Sequence, residues 1–459
     1  MSDYGHRYTE MKGITLVLIL LSFVCAHSQP QLMRDAVLYD DNFSCRVLDV
    51  REYSFDNLVN EGIETYARQL KVLNIPVRQF RHIIKWYVNR NHFAIGKEQR
   101  CKTAFRAISF IYPSVTPQGD SVMLSGLVTL PIVKNSSPRR MLVYHRILAA
   151  YNSIAPSNSL PLESVITADN TICVFPDYYG CGVTEEFPLS FIALNYHARC
   201  ATECVLAALD IVEGNGVTFS PGFYTWITGY SQAAGYALAT HRYIEESLPD
   251  SLRQRINIRW SLCGDGVYMP ARLYEAAVLA DDLGNTPSIY LQSLRGLFNS
   301  YPERLHGLAI SDFMSNKAVE SGIDSILYTY DNGLWDLADR LAWRDKSHRP
   351  AYYFSPSVVD TSTLQYKTLL SVLSLDDCVS GWHPQACVAL VHSRKDRTIP
   401  FHLAEQVQGR LSDANGCCFL RTPKLNGSHL LSGFFYLSNL LRFNENELYE
   451  RFIESNNKE

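Results

Sequence analysis

The stretch Trp226-Ile227-Thr228-Gly229-Tyr230-Ser231-Gln232-Ala233-Ala234-Gly235 changes character at its centre. Its first residues are apolar and β-branched, as in a buried strand. From Gln232 the chain is alanine-rich and keeps a helical pattern to about Ser247. Strand must therefore become helix within a few residues. A glycine two before Ser231 and a small residue two after it suit such a turn, because bulk at either place would collide with the sheet. The turn strains the serine backbone and presents a helix N-terminus, so the N–H of Gln232 points where a negative oxygen would form. Ala233 carries one methyl more than the glycine usual there. The competing reading of Ser231 is a plain helix N-cap.

Outward from this stretch, short apolar runs alternate with helical ones. Phe105–Tyr112 and Val122–Leu130 flank the turn Pro117-Gln118-Gly119-Asp120 and predict a hairpin. Met141–Tyr144, Thr171–Phe175, Tyr224–Thr228, Ile256–Leu262, Ala386–Val391 and Cys417–Arg421 follow. Short Val-, Ile- and Leu-rich runs spaced by helices predict a mostly parallel sheet covered on both faces. The count is eight strands, an antiparallel pair and then a parallel series. Leu262 and Ala386 are too far apart for a loop. The helical runs Leu273–Leu283, Tyr290–Phe298, Leu334–Trp343 and Leu364–Leu373 between them predict a helical insertion over residues 264–385. Residues 29–103 read mostly as helix, around Leu58–Val72 and Val77–Tyr87.

A nucleophilic serine needs a base, and the base an orienting carboxylate. Asp396 lies in the loop just beyond the Val388–Val391 strand, where an open sheet collects its ligand-side residues. His429 lies in the loop after the next strand. The order Ser231, Asp396, His429 is nucleophile, acid, base. Asp265, beyond Ile256–Leu262, is the alternative acid; His392 and His402 stand too close to Asp396 in sequence to be favoured as bases. A solvated loop charge at Asp396 and a capping histidine at His429 are the plainer readings.

With this layout the chain resembles the α/β-hydrolase superfamily. Within it, it is similar to secreted bacterial hydrolases related to fungal secretory lipases, over about 104–263 and 386–442. Besides the elbow and the Asp396 and His429 segments, the likeness rests on Ser125–Pro131, Val143-Tyr144-His145 and Val174–Gly182. The resemblance implies an eight-stranded α/β-hydrolase core (104–263 and 386–445) and a cap or lid formed by 264–385. It also implies Pro176-Asp177-Tyr178 bracing a loop and a structural His145. Relatives usually have glycine after that histidine, where the loop gives a second oxyanion N–H. Here Arg146 follows, then Ile147. Glycine reaches backbone angles that arginine reaches only with strain. The oxyanion hole is therefore expected from Gln232 and the Arg146–Ile147 region, or is incomplete. Tyr151, Trp343 and Trp382 are candidate pocket walls, with plain packing the competing reading.

Met11-Lys12, the apolar run Ile14–Val24 and Ala26 and Ser28 describe a secretory signal over 1–28, with Met1–Glu10 an upstream start. A lipid anchor on Cys25 is the alternative, so the expected location is secreted or periplasmic. Cys25 falls in the leader, which leaves an odd number of the 12 cysteines in the mature chain and at least one thiol unpaired within it. None has metal-site spacing with histidine. Asn42, Asn135 and Asn426 head glycosylation sequons, and 446–459 reads as a tail. The 42 Lys+Arg nearly balance 46 Asp+Glu, which argues against a nucleic-acid partner. After the leader no apolar run is long enough for an integral membrane span.

The expected activity is cleavage of carboxylic esters, small-molecule or lipid, through an acyl-enzyme and without metal or organic cofactor. Two alternatives compete: an exopeptidase on the same fold, and a hydrolase fold kept for ligand binding. Acyl length, alcohol and oligomeric state are left open.

Overall fold

The computed structural model describes residues 45–53, 104–132, 137–146, 155–284, 287–305, 307–322, 347–413, 417–422, 427–429, 432–433 and 436. The leader, most of 29–103, the sequons at Asn42, Asn135 and Asn426, the tail, and Ile147, Tyr151, Trp343 and the run Leu334–Trp343 lie outside the described residues.

The core is a nine-stranded sheet: β1 (Arg46–Tyr53), β2 (Phe105–Val115), β3 (Ser121–Pro131), β4 (Arg140–His145), β5 (Thr171–Pro176), β6 (Tyr224–Tyr230), β7 (Ile258–Gly264), β8 (Cys387–Val391) and β9 (Cys418–Arg421). Its order is β1-β2-β3-β5-β4-β6-β7-β8-β9. β1, β2, β3 and β5 pair antiparallel in turn, and from β5 onward every pairing is parallel. The eight runs read as strands are all strands. β1 is the correction, since it lies in a region read as helix. Its charges, among them Arg51 paired with Asp49 and Glu52 with Arg106, and a register shift between Val47 and Asp49 hide the period of two. Such charges and bulges suit an edge strand.

The parallel strands bury both faces. Met141 and Val143 of β4 join one core cluster, while Leu142 and Tyr144 join the cluster on the other face. Helices α1 (Leu194–Gly214) and α2 (Gln232–Ser247) cover the first face. Both are rich in buried Ala, α1 with Cys200 and Cys204 besides, and small side chains let a helix lie close to a sheet. At Gly235 a Cβ would stand 2.2 Å from the Val267 carbonyl oxygen. α3 (Asp250–Ile256) leads into β7.

Between β7 and β8 the described elements are helices joined by loops. α4 (Pro270–Leu279), α5 (Ser288–Ser300), α6 (Asn316–Glu320), α7 (Pro350–Tyr353), α8 (Pro356–Val359) and α9 (Leu364–Leu373) follow one another. Their apolar residues, Leu273, Leu294 and Leu369 among them, continue the α1–α2 core. α10 (Phe401–Asp413) then joins β8 to β9. A disulfide between Cys387 and Cys417 ties the starts of those two strands, with Cα atoms 4.6 Å apart. The other described cysteines are buried.

Candidate active site

Ser231 follows β6 directly and caps α2, with φ 60° and ψ −126°, a positive-φ backbone that a non-glycine residue adopts at a cost. The local sequence makes that turn possible. A Cβ on Gly229 would sit 2.2 Å from the Ala233 carbonyl oxygen, so only glycine fits two residues before the serine. Ala233 itself is fully buried, and its methyl is accommodated. The Ser231 N–H donates to the Gly264 carbonyl at 2.8 Å, and the Ser231 carbonyl accepts from Ala234.

Asp396 and His429, far apart in sequence, meet Ser231 at the carboxyl end of the sheet. His429 Nε2 is 2.8 Å from Ser231 Oγ, and its Nδ1 is 2.6 Å from Asp396 Oδ2. All three residues are 6% exposed, enough to keep an edge of the site open while excluding most water. Asp396 Oδ1 accepts from the N–H groups of Thr398 and Ile399 at 2.8 and 3.0 Å, so one oxygen is anchored and the other is left for the imidazole. Burial disfavours the Asp396 charge, but the His429 imidazole and the Ile399 N–H outweigh it and hold the carboxyl below its ordinary value. Burial likewise lowers His429, and Asp396 more than reverses this, leaving the imidazole above its ordinary 6.5. A hydroxyl, an imidazole and a carboxylate so arranged can pass the serine proton to His429 and steady the imidazolium that forms.

The other candidates sort as follows. Asp265 does not touch His429; its oxygens accept from the Ser393 N–H (2.8 Å) and the Tyr230 hydroxyl (2.6 Å). His392 is buried with Nε2 on the Ile399 carbonyl at 2.8 Å, and His402 is exposed on α10. Asp265, His392 and Asp396 stand close enough to hold an ion. Both carboxylates, however, are already committed to donors of the chain.

Arg146 corrects an expectation about strain. Its φ is not positive, so its backbone does not imitate a glycine. Its guanidinium instead lies 3.8 Å from the buried Glu163 carboxylate. Ahead of it, His145 Nδ1 pairs with the Tyr178 hydroxyl at 2.9 Å, and burial pushes the imidazole down to about 3, so the ring is neutral. Asp177 does brace neighbouring segments. Its carboxylate accepts from Ser125 Oγ at 2.5 Å, from the Ser157 hydroxyl and from the Ser157 N–H at 3.2 Å. Burial nevertheless raises its carboxyl. Trp382 is packed inside: it is 2% exposed and its indole N–H donates to Glu245.

Two features escaped the sequence. A narrow apolar cleft runs between the elbow side of the sheet and the insertion, walled by Val267, Leu273, Tyr274, Ile289, Tyr290 and Leu294. Val267, on its wall, donates its backbone N–H to the Ser231 carbonyl at 3.4 Å. Ile192, also on its wall, has φ 66°, and its N–H reaches the Tyr236 hydroxyl, which also takes the Gln232 side-chain amide. A β-branched residue with positive φ leaves no periodic signal to find.

Comparison with solved structures places this arrangement. The rice cell wall degrading esterase LipA from Xanthomonas oryzae superposes with a TM-score of 0.66 at 15% identity, over 88% of this chain and 98% of that one. The fold is that of the α/β-hydrolases. A hydrolase-titled structure from Legionella pneumophila is as similar, with TM-score 0.65 at 15% identity over 88% and 98% of the two chains. Candida antarctica lipase A in its closed state matches over 76% of each chain with a TM-score of 0.52 and 13% identity. No protein-family model matches the chain, and no curated protein does. Ser231 stands on the strand-to-helix turn of this fold, and Asp396 and His429 follow it in the chain. Among the described residues no helix is long and apolar enough to cross a membrane.

Proposed function

We propose that the protein is a secreted serine hydrolase that cleaves carboxylic esters. The observation that carries this is the continuous hydrogen-bonded line from Ser231 Oγ through His429 to Asp396, with the serine on a strained turn. Ser231 attacks the ester carbonyl as His429 takes its proton. The oxyanion leans on the Gln232 N–H and on the Arg146–Ile147 segment. His429 returns the proton to the leaving alcohol, and water then releases the acid from the acyl-enzyme by the same steps in reverse roles. Asp396 keeps the imidazole in its working tautomer. Residues 264–385 act as the cap, and the cleft they share with Val267 takes the acyl group. Export accounts for the leader and agrees with the Cys387–Cys417 disulfide, a bond that persists in oxidising compartments.

The cleft is narrow, so acetyl and butyryl aryl esters should be turned over faster than palmitoyl ones. Ser231→Ala should abolish that turnover. Full activity in Ser231→Ala would end the proposal. A second reading draws on Arg146, which stands in an ion pair where the fold usually keeps a glycine. In that reading the site binds esters without cleaving them, and ester binding with no acylation of Ser231 would favour it.

A further inference from the structure

We propose that Asp265 is a positioning residue for the Ser231–His429–Asp396 site, tying its three segments together and placing a second negative charge behind His429. The inference rests on the esterase reading of that site, but its test below does not depend on ester turnover alone.

Asp265 follows β7, is fully buried and has φ 39°, a strained backbone for an aspartate. Each bond it makes leads to a different part of the site. Its own N–H donates to the Val391 carbonyl at the end of β8 (2.9 Å). Oδ1 accepts from the N–H of Ser393, three residues before Asp396 (2.8 Å). Ser393 in turn donates its hydroxyl to the Gly427 carbonyl, two residues before His429 (2.5 Å). Oδ2 accepts from the hydroxyl of Tyr230, the residue before the nucleophile (2.6 Å). That hydroxyl is shared with the carbonyl of His429, and the Tyr230 ring packs against the imidazole with centroids 5.3 Å apart. One carboxylate thus reaches the nucleophile turn, the acid loop and the base loop.

Both of its oxygens are thus used by donors of the chain. Its other titratable neighbours are few. His392 presents Nδ1 to Asp265 Oδ1 at 3.8 Å while its Nε2 is held by Ile399. Tyr268, from the segment after β7, is buried nearby. On its other side His429 faces Asp396 and Ser231. The Asp265 charge adds to that of Asp396 in favouring the imidazolium, the species that must form as serine attacks.

Two substitutions separate the brace from the charge. In Asp265→Asn the amide oxygen still accepts from Ser393 and the amide N–H can turn to the Tyr230 oxygen, so geometry is kept and charge is lost. The acid limb of kcat/KM against pH for an aryl acetate should then move to lower pH. In Tyr230→Phe the charge stays and the tie to the His429 carbonyl is cut. There kcat should fall about 10-fold, the scale of a small misplacement, with KM and the acid limb unchanged. NMR titration of the His429 ring reads the first effect without substrate: its midpoint should fall in Asp265→Asn. A wild-type protein that turns over no ester would refute the esterase reading and leave this titration to decide the inference. An unmoved His429 midpoint in Asp265→Asn, or wild-type kcat in Tyr230→Phe, would overturn it. If Asp265→Asn does not fold, the Tyr230→Phe kinetics decide alone.

Discussion

Among the described residues two hydrogen-bonded lines of serine, histidine and carboxylate differ in almost everything except residue type. One is Ser231–His429–Asp396. The other is Ser261–His241–Glu245, where His241 Nδ1 is 2.8 Å from Ser261 Oγ and Nε2 is 2.8 Å from Glu245 Oε1. Distances alone would not separate them. Their surroundings do. Ser261 lies inside β7, and Ser261 and His241 have no exposed surface. The imidazole is turned the other way round, Nδ1 to the serine. Glu245 is saturated: it also accepts from the Trp382 indole and from the N–H groups of Gln385 and Ala386. It fastens α2 to the chain as the insertion returns to β8. Ser231, by contrast, stands on a strained turn at a helix N-terminus. Under the proposed function, backbone turn, access and a place for the oxyanion make one line reactive, while the same residue types in a sealed core form a structural clamp.

The comparison can be broken most sharply by activity. Ser231→Ala or His429→Ala should reduce ester turnover by on the order of 10,000-fold or more, while Ser261→Ala leaves kcat within about twofold of wild type. Stability should show the reverse. Glu245→Gln puts an amide where backbone N–H groups need an acceptor and should cost about 3 kcal/mol in a urea melt, with Asp396→Asn melting closer to wild type. Ser261→Ala, which strands one ring nitrogen, should cost about 1–2 kcal/mol. An equal activity loss at Ser261 would contradict the assignment of roles.

pH should separate the two lines further. His429 must be neutral to accept the serine proton, and Asp396 holds it above 6.5. The acid limb of kcat/KM should therefore have its midpoint above pH 6.5, and Asp396→Asn should move what activity remains to lower pH. Glu245 acts on folding instead. Burial opposes its charge, but His241 and the N–H groups of Ala386 and Gln385 hold it below its ordinary 4.5. Its contribution is thus present above 4.5 and lost as pH falls through its lowered folded value. Acid melts of wild type and Glu245→Gln should converge there.

Much of this was legible in the sequence, for a physical reason. Buried parallel strands such as Thr171–Pro176 are short apolar runs that few other structures can absorb, and the elbow demands small residues at fixed offsets from Ser231. The loop positions of Asp396 and His429 followed once the strands were counted. β1 was hidden because an edge strand carries charges and a bulge in place of a clean alternation. Trp382 packs as plain burial allows, anchored by its indole N–H on Glu245. The Asp265 brace and the tie of Ser261 to His241 had no local signal, although His241 and Glu245 stand four apart on α2. The partners of Asp265 lie far apart in sequence, and the sheet order brings them together.

The most direct test of the account is labelling of the purified protein with a fluorophosphonate, followed by peptide mapping. The probe needs an activated serine and a site that can hold an oxyanion. The account predicts modification of Ser231 that disappears in His429→Ala, with Ser261 unmodified in both. A folded protein that takes no label at Ser231, or takes it equally without His429, would contradict it.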